Sequence, residues 1–150
     1  MKLYFSFRMN ASLEYTDYVQ PVAMADFGSL YEGSTCAEVG WSTLGGHKTL
    51  QWTPEVKMLS DQYCRDNPGT TGPMGYGAMC GGEPGSGTAV MCPGYTGSPL
   101  LCSDPGTGDI VLAGLQSFTY SCLTPGAPSV YTNIGDLRDW VDYILSKYDD

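Results

Sequence analysis

The 150 residues carry a formal net charge of −9, seven Lys and Arg against 16 Asp and Glu, with a sequence pI near 4.2. A nucleic-acid-binding surface needs clustered cations, and these seven are scattered, which excludes that class. No apolar run nears the roughly 18 residues that cross a bilayer, so no membrane partner is expected. A chain of this length buries about 68–70% of its unfolded surface, enough for one domain with its own core.

In chain order, Met1-Lys2-Leu3-Tyr4-Phe5-Ser6-Phe7-Arg8 joins basic residues to an apolar run too short for a signal-peptide core, and no small-residue cleavage site follows. Asn10-Ala11-Ser12 is a glycosylation acceptor. Tyr18 to Met24 is rich in strand formers but interrupted by Pro21, which suits an edge strand or crossing segment. Thr35 to Ser42 and Thr49 to Leu59 read as strands, with Gly45-Gly46-His47 between them. Ser60 is an N-cap for a turn or two of helix to Asp66, stopped by Pro68-Gly69.

Fifteen of the 20 glycines and eight of the ten prolines follow residue 67, so the second half reads as short extended segments broken by turns. Gly69 to Gly87 reads as surface loops enclosing the apolar Met79-Cys80. Ile110 to Leu115 is a nearly continuous apolar run, the clearest buried strand, and Ser129 to Ile134 is another. Leu137, Trp140, Val141, Ile144 and Leu145 recur at helical spacing on one face, with Asp136 and Asp139 at the positive end of the dipole and Lys147 near the other. The acidic residues gathered here read as a solvated helix face and tail.

Six cysteines, with neither a Cys-x-x-Cys pair nor a Cys/His cluster, point to three disulfides and an oxidising, extracellular setting, with no metal or other cofactor. Six cysteines allow fifteen pairings, and spacing does not choose among them. A disulfide framework without a leader is read as a chain truncated at its N-terminus.

One segment carries chemistry. Gly94-Tyr95-Thr96-Gly97-Ser98-Pro99-Leu100 resembles the Gly-Asp-Ser-Gly-Gly-Pro-Leu nucleophile loop of chymotrypsin- and trypsin-like serine peptidases. Other landmarks resemble the same family in order: Tyr18-Val19-Gln20-Pro21-Val22, the inter-barrel crossing; Cys36 through Gly40-Trp41; Met79-Cys80-Gly81-Gly82; Pro128-Ser129-Val130-Tyr131-Thr132; and Asp139-Trp140-Val141. The resemblance implies an all-β fold, the family's second six-stranded antiparallel Greek-key barrel with a short intermediate helix and a C-terminal α-helix. An inter-barrel segment would occupy about 1–27 and the barrel with its helix about 28–150. It also implies the pairs Cys36–Cys102, Cys64–Cys80 and Cys92–Cys122.

The family hydrolyses peptide bonds through an acyl-enzyme: a serine attacks, a histidine takes its proton, and a buried aspartate holds the histidine. By resemblance the last two belong to a first barrel preceding Met1. Thr96 stands at the nucleophile position and Tyr95 where the family's aspartate receives a freed N-terminal ammonium. Threonine keeps a hydroxyl, but its β-branch restricts χ1, and the sole histidine, His47, lies in a loop where the family keeps no base. Ser98 takes the place of the motif's second glycine and reads as structural. Backbone N–H groups of Gly94 and Thr96 would be the oxyanion donors.

Resemblance places Val90 at the base of the specificity pocket, Thr119 and Ser129 on its walls in place of glycines, and Ser117-Phe118-Thr119 as the strand that pairs with substrate backbone. That slot would take a small apolar side chain and disfavour a basic one. The expectation is an inactive peptidase homologue, with peptide or protein as ligand and a partner over the face where a first barrel would dock. The alternatives are a secreted disulfide-bonded binding or regulatory module, and an active endopeptidase truncated in this chain.

Overall fold

The computed structural model describes residues 9–41, 50–66, 75–82, 96–119 and 127–148. Its strands are β1 (Ala23–Met24), β2 (Thr35–Trp41), β3 (Leu50–Leu59), β4 (Ala78–Gly82), β5 (Pro99–Ser103), β6 (Ile110–Thr119) and β7 (Ser129–Asn133). Its helices are α1 (Asp61–Asp66) and α2 (Arg138–Tyr148), the latter entered through a 3-10 turn at Gly135–Leu137.

The strands run β6-β5-β2-β3-β4-β7, and β7 pairs again with β6, closing a six-stranded antiparallel barrel. Closure removes the unpaired edges that an open sheet exposes. Strands β2, β3 and β4 are consecutive neighbours while β5 returns beside β2, which is Greek-key connectivity. Short β1 lies parallel along β6, with Ala23 opposite Val111, and its continuation donates from the Ala25 N–H to the Leu112 carbonyl at 3.0 Å.

Alternation along the strands fills the barrel. Cys36, Glu38 and Gly40 of β2 point inward while their neighbours are half-buried or exposed. Tyr31, Val56, Met58, Leu100, Ala113 and Tyr131 meet in the principal core cluster. The Cys36–Cys102 disulfide ties β2 to β5, and Cys64–Cys80 ties α1 to β4. Cys92 and Cys122 lie outside the described residues.

The Tyr18–Met24 run is an edge segment as read, contributing the two-residue β1 to the sheet, since Pro21 removes a donor and Tyr18, Val19 and Val22 stay exposed. Two elements differ from the sequence reading. Met79-Cys80 is not a loop insertion but the middle of β4, a full barrel strand between β3 and β7. Its glycines answer to crowding: a Cβ on Gly81 would meet Val56 Cγ1 at 3.0 Å and the Lys57 carbonyl oxygen at 3.1 Å. Leu137 belongs to the 3-10 turn, and the apolar face of α2 is half-buried at best, with Leu145 exposed.

Elsewhere local signals act as read. The Ser60 hydroxyl accepts the Tyr63 N–H at 3.1 Å and caps α1. Arg138 bonds Asp26 at 2.9 Å and Asp142 at 3.1 Å, fastening the start of α2 to the segment after β1.

Candidate functional site

The turn that leads into β5 carries the candidate nucleophile. Gly97 takes a φ of 89°, a conformation that side-chain-bearing residues rarely adopt. Its N–H donates to the Gln116 carbonyl at 2.8 Å, and the Gln116 N–H returns a bond to the Ser98 carbonyl at 2.9 Å. The turn is thereby fixed beside β6, one residue from Ser117-Phe118-Thr119. Thr96 is exposed on it while Ser98 is 8% exposed, so only the former hydroxyl is open to a ligand. Among the described residues no side chain accepts a hydrogen bond from Thr96. A groove of about 350 Å³ lies against this turn, lined by Val39, Trp41, Leu50, Thr96, Gly97 and Pro99, among others.

The strand expected to pair with substrate is accessible in part: Phe118 is 44% exposed, and Ser117 and Thr119 are half-buried. Ser129 of β7 lies directly opposite Thr119 in register. Their hydroxyls are 2.7 Å apart, and the Gln116 side-chain amide donates to Thr119 Oγ1 at 2.8 Å. Where two glycines would leave a gap, two hydroxyls bridge β6 to β7. Val90, Gly94, Tyr95 and His47 lie outside the described residues.

Glu38 is the residue that sequence reasoning passes over. It is fully buried, and the Tyr131 hydroxyl donates to its Oε2 at 2.7 Å, while Oε1 has no partner. Burial pushes its carboxyl up to about 8, and the bond from Tyr131 acts against that rise. Burial likewise raises the Tyr131 phenol, reinforced by the carboxyl, with the Ser129 hydroxyl acting in the opposite direction. Parity along β2 held the signal: Glu38 shares the face of Cys36, two residues before it.

Adjoining elements thus carry an exposed hydroxyl at Thr96, the Thr119–Ser129 hydroxyl pair and a buried carboxyl–phenol pair. Proton removal from Thr96 has no base at hand among the described residues.

The Trypsin family profile matches residues 5–141. Trypsin-1 of Astacus astacus is 34% identical over 144 residues, covering 89% of this chain and 56% of its own. Phenoloxidase-activating factor 1 of Holotrichia diomphalia is 30% identical over 139 residues, covering 90% and 37%. Clotting factor G beta subunit of Tachypleus tridentatus is 26% identical over 152 residues, covering 91% and 48%. The chain spans about half the length of these curated relatives, or less.

Proposed function

Because the chain belongs to the trypsin family, we propose that it is a peptide-binding member of that family which does not itself cut the peptide it holds. The observation that carries this reading is Thr96, an exposed β-branched hydroxyl at the nucleophile turn that has no base beside it among the described residues. Acyl transfer needs a nucleophile whose proton is removed as it attacks. Tyr95, where the family's aspartate would stand, supports the same reading, since a neutral phenol offers an ammonium no countercharge.

Binding is favoured by what persists. The Thr96–Ser98 turn is pinned to Gln116, and Ser117-Phe118-Thr119 keeps the edge along which an extended segment would pair. The Thr119–Ser129 bridge would restrict the adjoining slot to a small side chain, and Val90, which the resemblance assigns to its base, would give a basic one no counterion. In this reading the protein is extracellular, its barrel braced by disulfides.

The 9–30 segment supports a macromolecular partner. Leu13, Tyr15, Tyr18, Phe27 and Leu30 are each more than half exposed, apolar surface along one segment that a partner would cover. We assign this face to the remainder of the family fold, on the same polypeptide or another.

The test joins a cleavage assay to a binding assay. The chain should resist labelling by a fluorophosphonate and leave casein intact, while a tetrapeptide ending in alanine shifts the amide resonances of Ser117–Thr119. Labelling at Thr96, or peptide hydrolysis lost in Thr96→Ala, would overturn the non-cleaving reading in favour of an endopeptidase. Absence of any shift at Ser117–Thr119 would overturn the binding reading.

A further inference from the structure

A carboxyl group buried inside a barrel is costly unless its oxygens are hydrogen-bonded. Glu38 has one bond, from Tyr131, and its Oε1 has none. A stabilised carboxylate ordinarily accepts two or three donors. A single charge-assisted bond strengthens on ionisation, but it does not offset removing an unpaired charge from water. The pair is stable while the carboxyl is neutral.

Its position gives that protonation a consequence. On β7, Ser129 and Tyr131 are two residues apart and share the inward face. Ser129 bonds Thr119, Thr119 accepts from Gln116, and Gln116 lies opposite Tyr131 in register. Gln116 in turn pins the Thr96–Ser98 turn through its backbone. On β2, Glu38 pairs with Leu100, two residues beyond Ser98. Thr119 and the Thr96–Ser98 turn are thus each two steps, one hydrogen bond to Gln116 and one strand register, from the Glu38–Tyr131 contact.

We propose that Glu38 is a positioning residue for the cleft: through Tyr131 it holds the β7 segment that carries Ser129, so that the cleft wall is closed when the carboxyl keeps its proton and loosened when it is lost. Peptide binding there, the activity proposed above on which the functional side of this inference rests, then weakens as pH rises. Among the described residues Tyr131 is the only titratable group facing Glu38. On the neighbouring β3, Glu55 and Lys57 are exposed, and β4, β5 and β6 carry no ionisable side chain other than the disulfide-bonded Cys80 and Cys102. Burial that raises the carboxyl to about 8 sets the switching range at mildly alkaline pH.

The experiment uses the isotopically labelled chain without ligand first. The Glu38 side-chain carbonyl resonance should titrate near pH 8, and the amides of Ser129–Thr132 and Gln116–Thr119, corrected for intrinsic rates, should exchange roughly tenfold faster at about pH 9 than at about pH 6. Glu38→Gln keeps an acceptor for Tyr131 without a titrating group and should abolish that difference. A midpoint below about pH 6, or an unchanged pH response in Glu38→Gln, would overturn the proposal. Should Glu38→Gln not fold, the wild-type titration alone decides. Acetyl-Ala-Ala-Pro-Ala amide is then added at both pH values. Tighter binding at the lower pH, lost in Glu38→Gln, supports the coupling. A pH-dependent wall with no peptide shifts leaves the Glu38 switch standing and removes the binding reading.

Discussion

Two halves of the barrel interior are held by different forces. Around Tyr31, Val56, Met58, Leu100 and Ala113, apolar side chains fill the space beneath β2, β3 and β5, and the Cys36–Cys102 bridge stitches the same strands covalently. Between β6 and β7 the interior is polar: Gln116, Thr119, Ser129 and Tyr131, with Glu38 reaching over from β2. The first region is dispersion and area removed from water, which carry no pH dependence of their own, although its buried Tyr31 hydroxyl has no partner and burial raises that phenol. The second is a hydrogen-bonded network with buried acceptors left over at Glu38 and Gln116. A fold tolerates an incompletely satisfied network where it has another use for the groups, and here Gln116 joins the network to the turn that carries Thr96.

The largest test of the comparison acts on the stitched side. Replacing Cys36 and Cys102 together by alanine releases a closure of 66 residues, worth roughly 4 kcal/mol in the chain-entropy account, read as a fall in the urea midpoint. Leu100→Ala, in the same apolar cluster and fully buried, should cost roughly 2–5 kcal/mol. Its cost should be the same at acidic and alkaline pH. A marked pH dependence of the Leu100→Ala penalty would show that the two regions are not separable.

The polar side should answer to pH instead. In the unfolded chain the Glu38 carboxyl titrates near 4.5, and in the folded chain near 8. Between these values the folded state binds the extra proton, so stability falls as pH rises. The contribution is fully present below about 4.5 and lost by the time pH has climbed through 8, on the order of a few kcal/mol. Urea unfolding across this window measures it, and Glu38→Gln should flatten the profile. A wild-type stability that rises between pH 5 and 8 with the same slope in Glu38→Gln would place the responsible group elsewhere.

How far each region can be read from sequence follows from the same contrast. Apolar periodicity is visible wherever it is unbroken, as in Ile110–Leu115 and in the spacing of Trp140, Val141 and Ile144, and both become regular elements. Strand β4 is hidden because its glycines signal a turn by composition, whereas Gly81 is there to let β3 approach. The order of family landmarks locates Thr96, Ser117-Phe118-Thr119 and Ser129 on adjoining strands. It is silent on Glu38, since the chemistry of a buried acid depends on what stands across the barrel, and Tyr131 is 93 residues away in sequence. The hydroxyl bridge between Thr119 and Ser129 is a pairwise fact of the same kind.

The last test isolates that bridge. Thr119→Gly with Ser129→Gly removes two hydrogen bonds, the bridge itself and the one Thr119 accepts from Gln116, about 1 kcal/mol each, and adds the entropic cost of glycine in two strands, about 0.5–1 kcal/mol each. The single variants should sum to more than the double, because each alone loses the shared bond. The effect on recognition should be larger than the effect on folding. With both hydroxyls gone the gap between β6 and β7 opens, and a peptide ending in phenylalanine should bind at least as well as one ending in alanine, reversing the wild-type order. If the double variant keeps its preference for alanine, the slot is limited by side chains other than these two, and the polar half of the barrel closes the cleft from beneath rather than across its mouth.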